Sequence, residues 1–206
     1  GLQGELDRWV TRRALGALAD LHKGGRHTTL FVNLSPQTVR DETFVDFVRD
    51  QLSATGAPSG AILFDIAEQA FIDYPEDGHR TLDALRHIGI SIALDDFGAQ
   101  YGALRFLQSR SVAYVKLAGA LIENLMQNEE RQALVRTFAQ TVKALDKKVV
   151  AKFVDGAETL STLWNFQVDY VQGNYFQAAE AQLNYDFGGG ETLSSDTQGT
   201  ASWASR

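Results

Sequence analysis

Cysteine is absent from the 206 residues, proline occurs three times and methionine once. Without thiols there can be no disulfide, no thiolate nucleophile and no zinc–thiolate centre, and a reducing compartment is the expectation. Long apolar runs are missing too. Ala61-Ile62-Leu63-Phe64 is among the longest, far short of the roughly 20 residues that span a bilayer, and no signal-peptide pattern opens the chain. No membrane insertion and a cytoplasmic location are therefore expected. Basic residues are in deficit: 19 Lys and Arg against 26 Asp and Glu give a net charge of −7. A non-specific nucleic-acid binder needs a basic face, so DNA is not an expected partner, and any anionic ligand must find a local cationic site. What is present is a core. Hydrophobic residues make up 44% of the chain, enough to close one folded domain.

Apolar residues at Leu6, Trp9, Val10, Ala14, Ala17, Leu18 and Leu21 recur with helical spacing until Gly24-Gly25, so a helix opens the chain. Residues 28–35 are β-branched and apolar enough for a buried strand, and Pro36 then leads into a second amphipathic helix with Phe44, Phe47, Val48 and Leu52. The alternation repeats. Strands are predicted at 61–66, 90–94, 113–117, 148–154 and 170–176, with helical patterns between them and a solvated helix start at Glu129-Glu130-Arg131. His22, His27, His79 and His87 show no spacing for a metal or a triad and read as surface residues.

Near-continuous apolar strands alternating with amphipathic helices predict a parallel sheet covered by helices, either doubly wound or closed into a barrel. The polar residues separate the two. Strand ends carry Asn33, Asp65 with Glu68, Asp95 with Asp96, Lys116, Lys152 with Asp155, and Gln172. An open sheet gathers ligands at one switch point, whereas a barrel brings every strand end into one ring. The fold class expected is therefore α/β, a TIM-like (β/α)8 barrel. Such a barrel needs about eight strands, and six are legible, so the first two are expected upstream of Gly1. Residues 1–187 are assigned to the barrel, and 188–206, with Gly188-Gly189-Gly190 and a Ser/Thr-rich run, to a flexible tail.

Asn33, Asp65, Asp95 and Asp96 offer hard oxygens of the kind that suit Mg²⁺, Mn²⁺ or Ca²⁺; helix capping and ion pairing are the plainer explanation for any one of them. Asp96-Phe97-Gly98 matches a kinase metal motif, but no Gly-rich nucleotide loop accompanies it. Taken in order, Leu6-Asp7-Arg8-Trp9, Val32-Asn33-Leu34-Ser35, Phe64-Asp65-Ile66-Ala67-Glu68, Leu94-Asp95-Asp96-Phe97-Gly98, Tyr114-Val115-Lys116 and Val171-Gln172-Gly173 resemble the EAL domain family. Its members are cyclic di-GMP phosphodiesterases and their inactive relatives. The resemblance runs to about Phe187 and implies that the Glu-Ala-Leu motif itself sits on the two upstream strands.

The resemblance also marks departures. It implies that Asn33, Asp95, Asp96, Lys116 and Gln172 stand at matching site positions, while Asp65 replaces a longer Glu. Ala118 stands where the family has the Asp of a Lys-Ile-Asp string; Lys152 and Phe153 stand where Ala-Glu-Gly-Val-Glu has its first Glu and its Gly. An ammonium in place of a carboxylate reverses the charge at a cation site, so two-metal water activation should fail. The loop from Phe97 to Leu107 is altered as well. The expectation is a degenerate metal site (Asn33, Asp65, Asp95, Asp96, Lys152) with no catalytic residue, no bound metal and no required cofactor. Lys152 is expected to supply the cation that Asp65, Asp95 and Asp96 would otherwise lack.

A cyclic di-GMP receptor still needs stacking surfaces, acceptors for guanine edges and donors for phosphate. The residues expected to bind that ligand are Asp7, Asn33, Lys116, Phe153, Asp155, Gln172 and Gly173. Each has a second explanation where one exists: Asp7 suits a helix N-terminus, Lys116 can serve phosphate or neutralise Asp95, and strand alternation gives Phe153 a core face as readily as a stacking one. Strings around Thr162-Leu163-Trp164 and Tyr185-Asp186-Phe187 resemble a family branch that governs type IV pilus assembly. That likeness implies a PilZ-domain adaptor as partner, a place at the cell pole, and room for a dimer in a longer protein. Three readings stand: a non-hydrolytic receptor, favoured; an active phosphodiesterase; and a protein scaffold that binds no nucleotide.

Overall fold

The computed structural model describes residues 1–100 and 103–173. Helix α1 (Leu2–Lys23) leads into β1 (Leu30–Leu34), α2 (Pro36–Val39) and α3 (Phe44–Thr55). Strand β2 (Ile62–Ala67) is followed by α4 (Glu68–Asp73) and α5 (Pro75–His87), and β3 (Ser91–Phe97) by a 3-10 turn at Ala103–Gln108. Then come β4 (Val112–Leu117), α6 (Gly119–Ile122), α7 (Glu129–Lys143), β5 (Lys148–Ala151), α8 (Ala157–Asn165) and β6 (Tyr170–Val171). Two helix starts are capped by side chains that the sequence supplies. Ser35 caps α2 ahead of Pro36, and Asn128 Oδ1 accepts from the Arg131 amide at the start of α7.

Among the described residues the strands form one parallel sheet in chain order, β1 to β6. Alternation sorts their side chains. Phe64, Ile66, Ile92, Leu94, Val115, Leu117 and Val149 are buried in the core, where Phe64 meets Phe44 of α3 at 5.5 Å between ring centroids. Phe31, Asn33, Asp65, Asp95, Tyr114, Lys116 and Tyr170 take the alternate positions of their strands. The sheet is curled so that these approach one another. Phe31 of β1 and Tyr114 of β4 have ring centroids 5.2 Å apart, although three strand spacings of about 4.8 Å would separate them in a flat sheet. The result is a half-barrel with helices on its convex side, as the barrel expectation requires.

Two strand limits differ from expectation. β3 runs on to Phe97 and carries both aspartates, whereas β5 stops at Ala151, short of the predicted 154. Phe153 has φ 59°, and the left-handed backbone there ends the extended run. The predicted last strand begins as β6 at Tyr170, and its remainder from 174, like the tail assigned to 188–206, lies outside the described residues.

Candidate functional site

Acidic residues of β2 and β3 meet, on the concave face, the ammonium groups of Lys116 on β4 and of Lys152 just after β5. Asn33, Asp65 and Ala93 stand in one register row, with Asp95 one pleat further along β3. Strict alternation would send Asp95 and Asp96 to opposite faces. A bulge prevents that: Leu94 pairs with Val115 and Phe97 with Leu117, so Asp95 and Asp96 together oppose the single residue Lys116. Asp96 adopts φ 54°, within the short-polar tolerance of the left-handed region. Both carboxylates consequently reach one group, Lys152 Nζ, which donates to Asp95 Oδ1 at 2.6 Å and to Asp96 Oδ1 at 2.5 Å.

Lys116 does not neutralise Asp95, as one reading of the sequence had it. Its Nζ donates to Asp65 Oδ2 at 2.5 Å and lies 4.4 Å from the centroid of the Phe31 ring. The curl of the sheet carries β4 toward β2, which the linear order of strands does not reveal. Asp65 is buried, and Oδ1 has no hydrogen-bond partner among the described residues. Burial pushes its carboxyl above the usual value, a stronger effect than the hydrogen bond and charge of Lys116 that pull it down. At Lys152 burial works against the charge, yet the hydrogen bonds and charges of Asp95 and Asp96 prevail and raise the ammonium above its usual value.

Glu68, which the sequence groups with the strand-end acids, braces the segment after β3: Oε2 accepts from the Gly98 amide at 3.0 Å and the Gln100 amide at 3.3 Å. Asp7 is six positions into α1, not at its start. Its Oδ2 accepts from the Ser35 amide, Ser35 Oγ and Thr38 Oγ1, tying α1 to the start of α2. Asn33 and Gln172 are exposed; the main-chain carbonyl of Gln172 also accepts from the Val154 amide and so extends the pairing of the β5 and β6 segments. Gly173 has a packing reason for its identity, since a Cβ there would lie 2.1 Å from the Val154 carbonyl oxygen.

Phe153 is not in the core. It is 68% exposed and, with Asp155, Gly156, Glu123, Asn124 and Met126, lines a cleft of about 790 Å³ beside α6 and α8, within the range of small-molecule sites. Ala118 is buried at the entry to α6 and offers no polar group. A second hollow of about 370 Å³ lies on the concave face, lined by Phe31, Tyr114, Lys116, Tyr170 and Gln172. Among the described residues no group of three or more His, Cys, Asp or Glu forms a metal cage, and no helix is long and apolar enough to cross a membrane.

The sequence reading missed two features. Ring centroids of His22 and His27 lie 5.0 Å apart, and His22 is half-buried with Nδ1 2.9 Å from the Leu18 carbonyl oxygen. Lys147 is buried and donates to the Ser109 and Val112 carbonyls; its position ahead of β5 gave no signal for that.

The EAL domain family matches residues 1–179. The "Cyclic di-GMP phosphodiesterase PdeB" of Shewanella oneidensis is 30% identical over 172 residues, covering 84% of this chain and 20% of that protein. PdeA of Borreliella burgdorferi, also named a cyclic di-GMP phosphodiesterase, is 26% identical over 82% of this chain and 25% of its own. The chain thus spans about a quarter or less of these relatives. Among solved structures, a FimX EAL domain superposes with a TM-score of 0.86 at 27% identity, covering 91% of this chain and 75% of that one. The FimX EAL domain from Pseudomonas aeruginosa bound to cyclic di-GMP gives 0.84 at 26%, with the same two coverages. The Xanthomonas citri FimX EAL domain in complex with the same nucleotide gives 0.85 at 26%, covering 91% and 74%. Concave acid cluster, half-barrel topology and motif order agree: the chain belongs to the EAL domain family.

Proposed function

We propose that this domain is a receptor for cyclic di-GMP that holds the dinucleotide without hydrolysing it. The observation that carries the reading is the position of Lys152 Nζ, hydrogen-bonded to Asp95 and Asp96 at once. Water activation on this face would need a divalent cation among these oxygens. As they stand the residues do not fit one: Lys152 claims an oxygen of each aspartate of the bulge, Lys116 claims one of the two oxygens of Asp65, and Ala118 supplies no acid. The same ammoniums offset acidic charge that would repel a phosphodiester. Phe153 and Asp155 edge the adjoining cleft, offering a stacking ring and an acceptor for a guanine edge. Asp7, Asn33, Gln172 and Gly173 remain in the proposed binding set; Asp7 and Gly173 also have the structural tasks described above. The nucleotide complexes of the FimX EAL domains support the ligand, and the pilus-regulator likeness supports a PilZ-domain adaptor as the partner that reads it.

Titration calorimetry of the full chain with cyclic di-GMP in EDTA, paired with a turnover assay in Mn²⁺, tests the reading. Saturable binding in EDTA and no linear dinucleotide are expected. Release of linear product would make the domain a phosphodiesterase, the activity named for its sequence relatives. Absence of heat at high nucleotide concentration would leave a protein scaffold. Capture of a PilZ-domain adaptor that is stronger with nucleotide than without it is the expected result for the partner.

A further inference from the structure

Phe153 combines three properties that rarely coincide. Its backbone is left-handed, its ring is large and apolar, and most of that ring is exposed. A ring so placed on the surface would ordinarily change rotamer freely. Here it does not stand alone. A Cβ built on Gly119, the first residue of α6, would lie 2.7 Å from both Cδ2 and Cε2 of Phe153. That distance is shorter than real Cβ contacts permit, so the ring edge rests on the backbone of α6 at a glycine, and a side chain at 119 would have to push the ring away. Lys152 Nζ lies 5.8 Å from the ring centroid. The ring borders the 790 Å³ cleft, where Gly119 and Asp155 also line the wall.

We propose that Gly119 is a positioning residue: it seats the Phe153 ring against α6 and so turns an exposed side chain into a fixed shelf for a planar heteroaromatic base. The inference rests on the receptor reading for the identity of the base, and on the Gly119–Phe153 contact alone for the shelf. A platform held before the ligand arrives spares the rotamer ordering that a free side chain would undergo on binding. An ordinary packing role for Phe153 would have hidden the ring; instead its edge is held and the rest is left open.

Two measurements on the full chain decide it. In the nucleotide-free protein, the ring edge should shift the Gly119 Hα resonances downfield, and Phe153→Ala should abolish that shift. Calorimetry with cyclic di-GMP then completes a double-mutant cycle. Gly119→Ala should weaken binding about tenfold with the melting temperature kept, and should change it less than about twofold when introduced into Phe153→Ala. Gly119 resonances that do not respond to Phe153→Ala would overturn the shelf, as would unchanged affinity in Gly119→Ala or an equal loss in both backgrounds. If wild-type protein binds no nucleotide, the receptor reading fails, while the resonance shift still reports whether the ring is seated. That arm uses no Gly119 variant and so does not depend on the folding of one.

Discussion

Lys116 and Lys152 neutralise acids on the same concave face, but by different constructions. Lys116 meets one carboxylate in a nearly closed setting, with side-chain exposures of 7% for the lysine and 5% for Asp65. Lys152 meets two, and the second, Asp96, is 53% exposed. The first pair lies on regular strands and links β4 to β2 through the curl of the sheet. The second exists only because a bulge and a positive φ turn two adjacent residues toward one ammonium. A one-to-one buried pair is a structural commitment, since either partner left alone would be an uncompensated charge. A two-to-one pair open to water can lose its cation and rehydrate. The closed pair therefore belongs to the scaffold, and the open one is where the chemistry of the face is set.

The largest effect should come from breaking the closed pair. Lys116→Met leaves Asp65 buried without a cation, and urea denaturation should show a loss of about 3–5 kcal/mol. The double variant Lys116→Met with Asp65→Leu should recover most of it, because the desolvated charge goes with its partner. A loss as small as that of an exposed pair would erase the distinction between the two lysines.

Lys152→Met should cost less, about 1–2 kcal/mol, since Asp96 can turn to water. Its more informative relative is Lys152→Glu, which replaces the ammonium by a further hard-oxygen donor. Mn²⁺ should raise the melting temperature of that variant and leave wild type unchanged, a shift of about 2–4 °C for each kcal/mol of binding in a domain of this size. A wild-type protein stabilised as much as the variant would mean that the ammonium does not exclude the metal, and the contrast between closed and open pairs would lose its functional half.

Much of this face was legible in the sequence, because period-two patterning and strand order survive folding. Phe64 inward and Asp65 outward on β2, or Val115 and Lys116 on β4, follow from alternation alone. The bulge was not legible. Alternation predicts that Asp95 and Asp96 diverge, and nothing in the residue types announces that one ladder step is shared by two residues. Nor was the partner of Lys116, since Asp65 and Asp95 are both acids near strand ends and only the curl selects between them. Phe153 failed for a related reason: the sign of φ is invisible in a non-glycine residue, so a strand was extended three residues too far and its ring was given a core option. Lys152 is expected beside Asp65, Asp95 and Asp96; it hydrogen-bonds Asp95 and Asp96, whereas at Asp65 it acts only through its charge and the hydrogen-bonded ammonium is that of Lys116.

A third lysine cluster carries the comparison to the rim, where the effect should be smallest. Asp169 sits ahead of β6, accepts from the Val149 amide at 2.9 Å, and takes Lys148 at 3.2 Å and Lys143 at 3.3 Å. Burial would raise its carboxyl, but the Val149 amide and the two ammoniums outweigh that and hold it below the ordinary value of 3.8. A carboxyl with a lowered folded value contributes stability that is complete above its unfolded value and is lost as pH falls through the folded one. Wild type should thus exceed Asp169→Asn by a constant margin from about pH 5 to pH 8, and the margin should close below about pH 3.8. Urea midpoints across that range check it. A margin that persisted at the acid end would show that the Val149 hydrogen bond alone holds this corner, and that among the three lysine clusters only the two on the concave face act through charge.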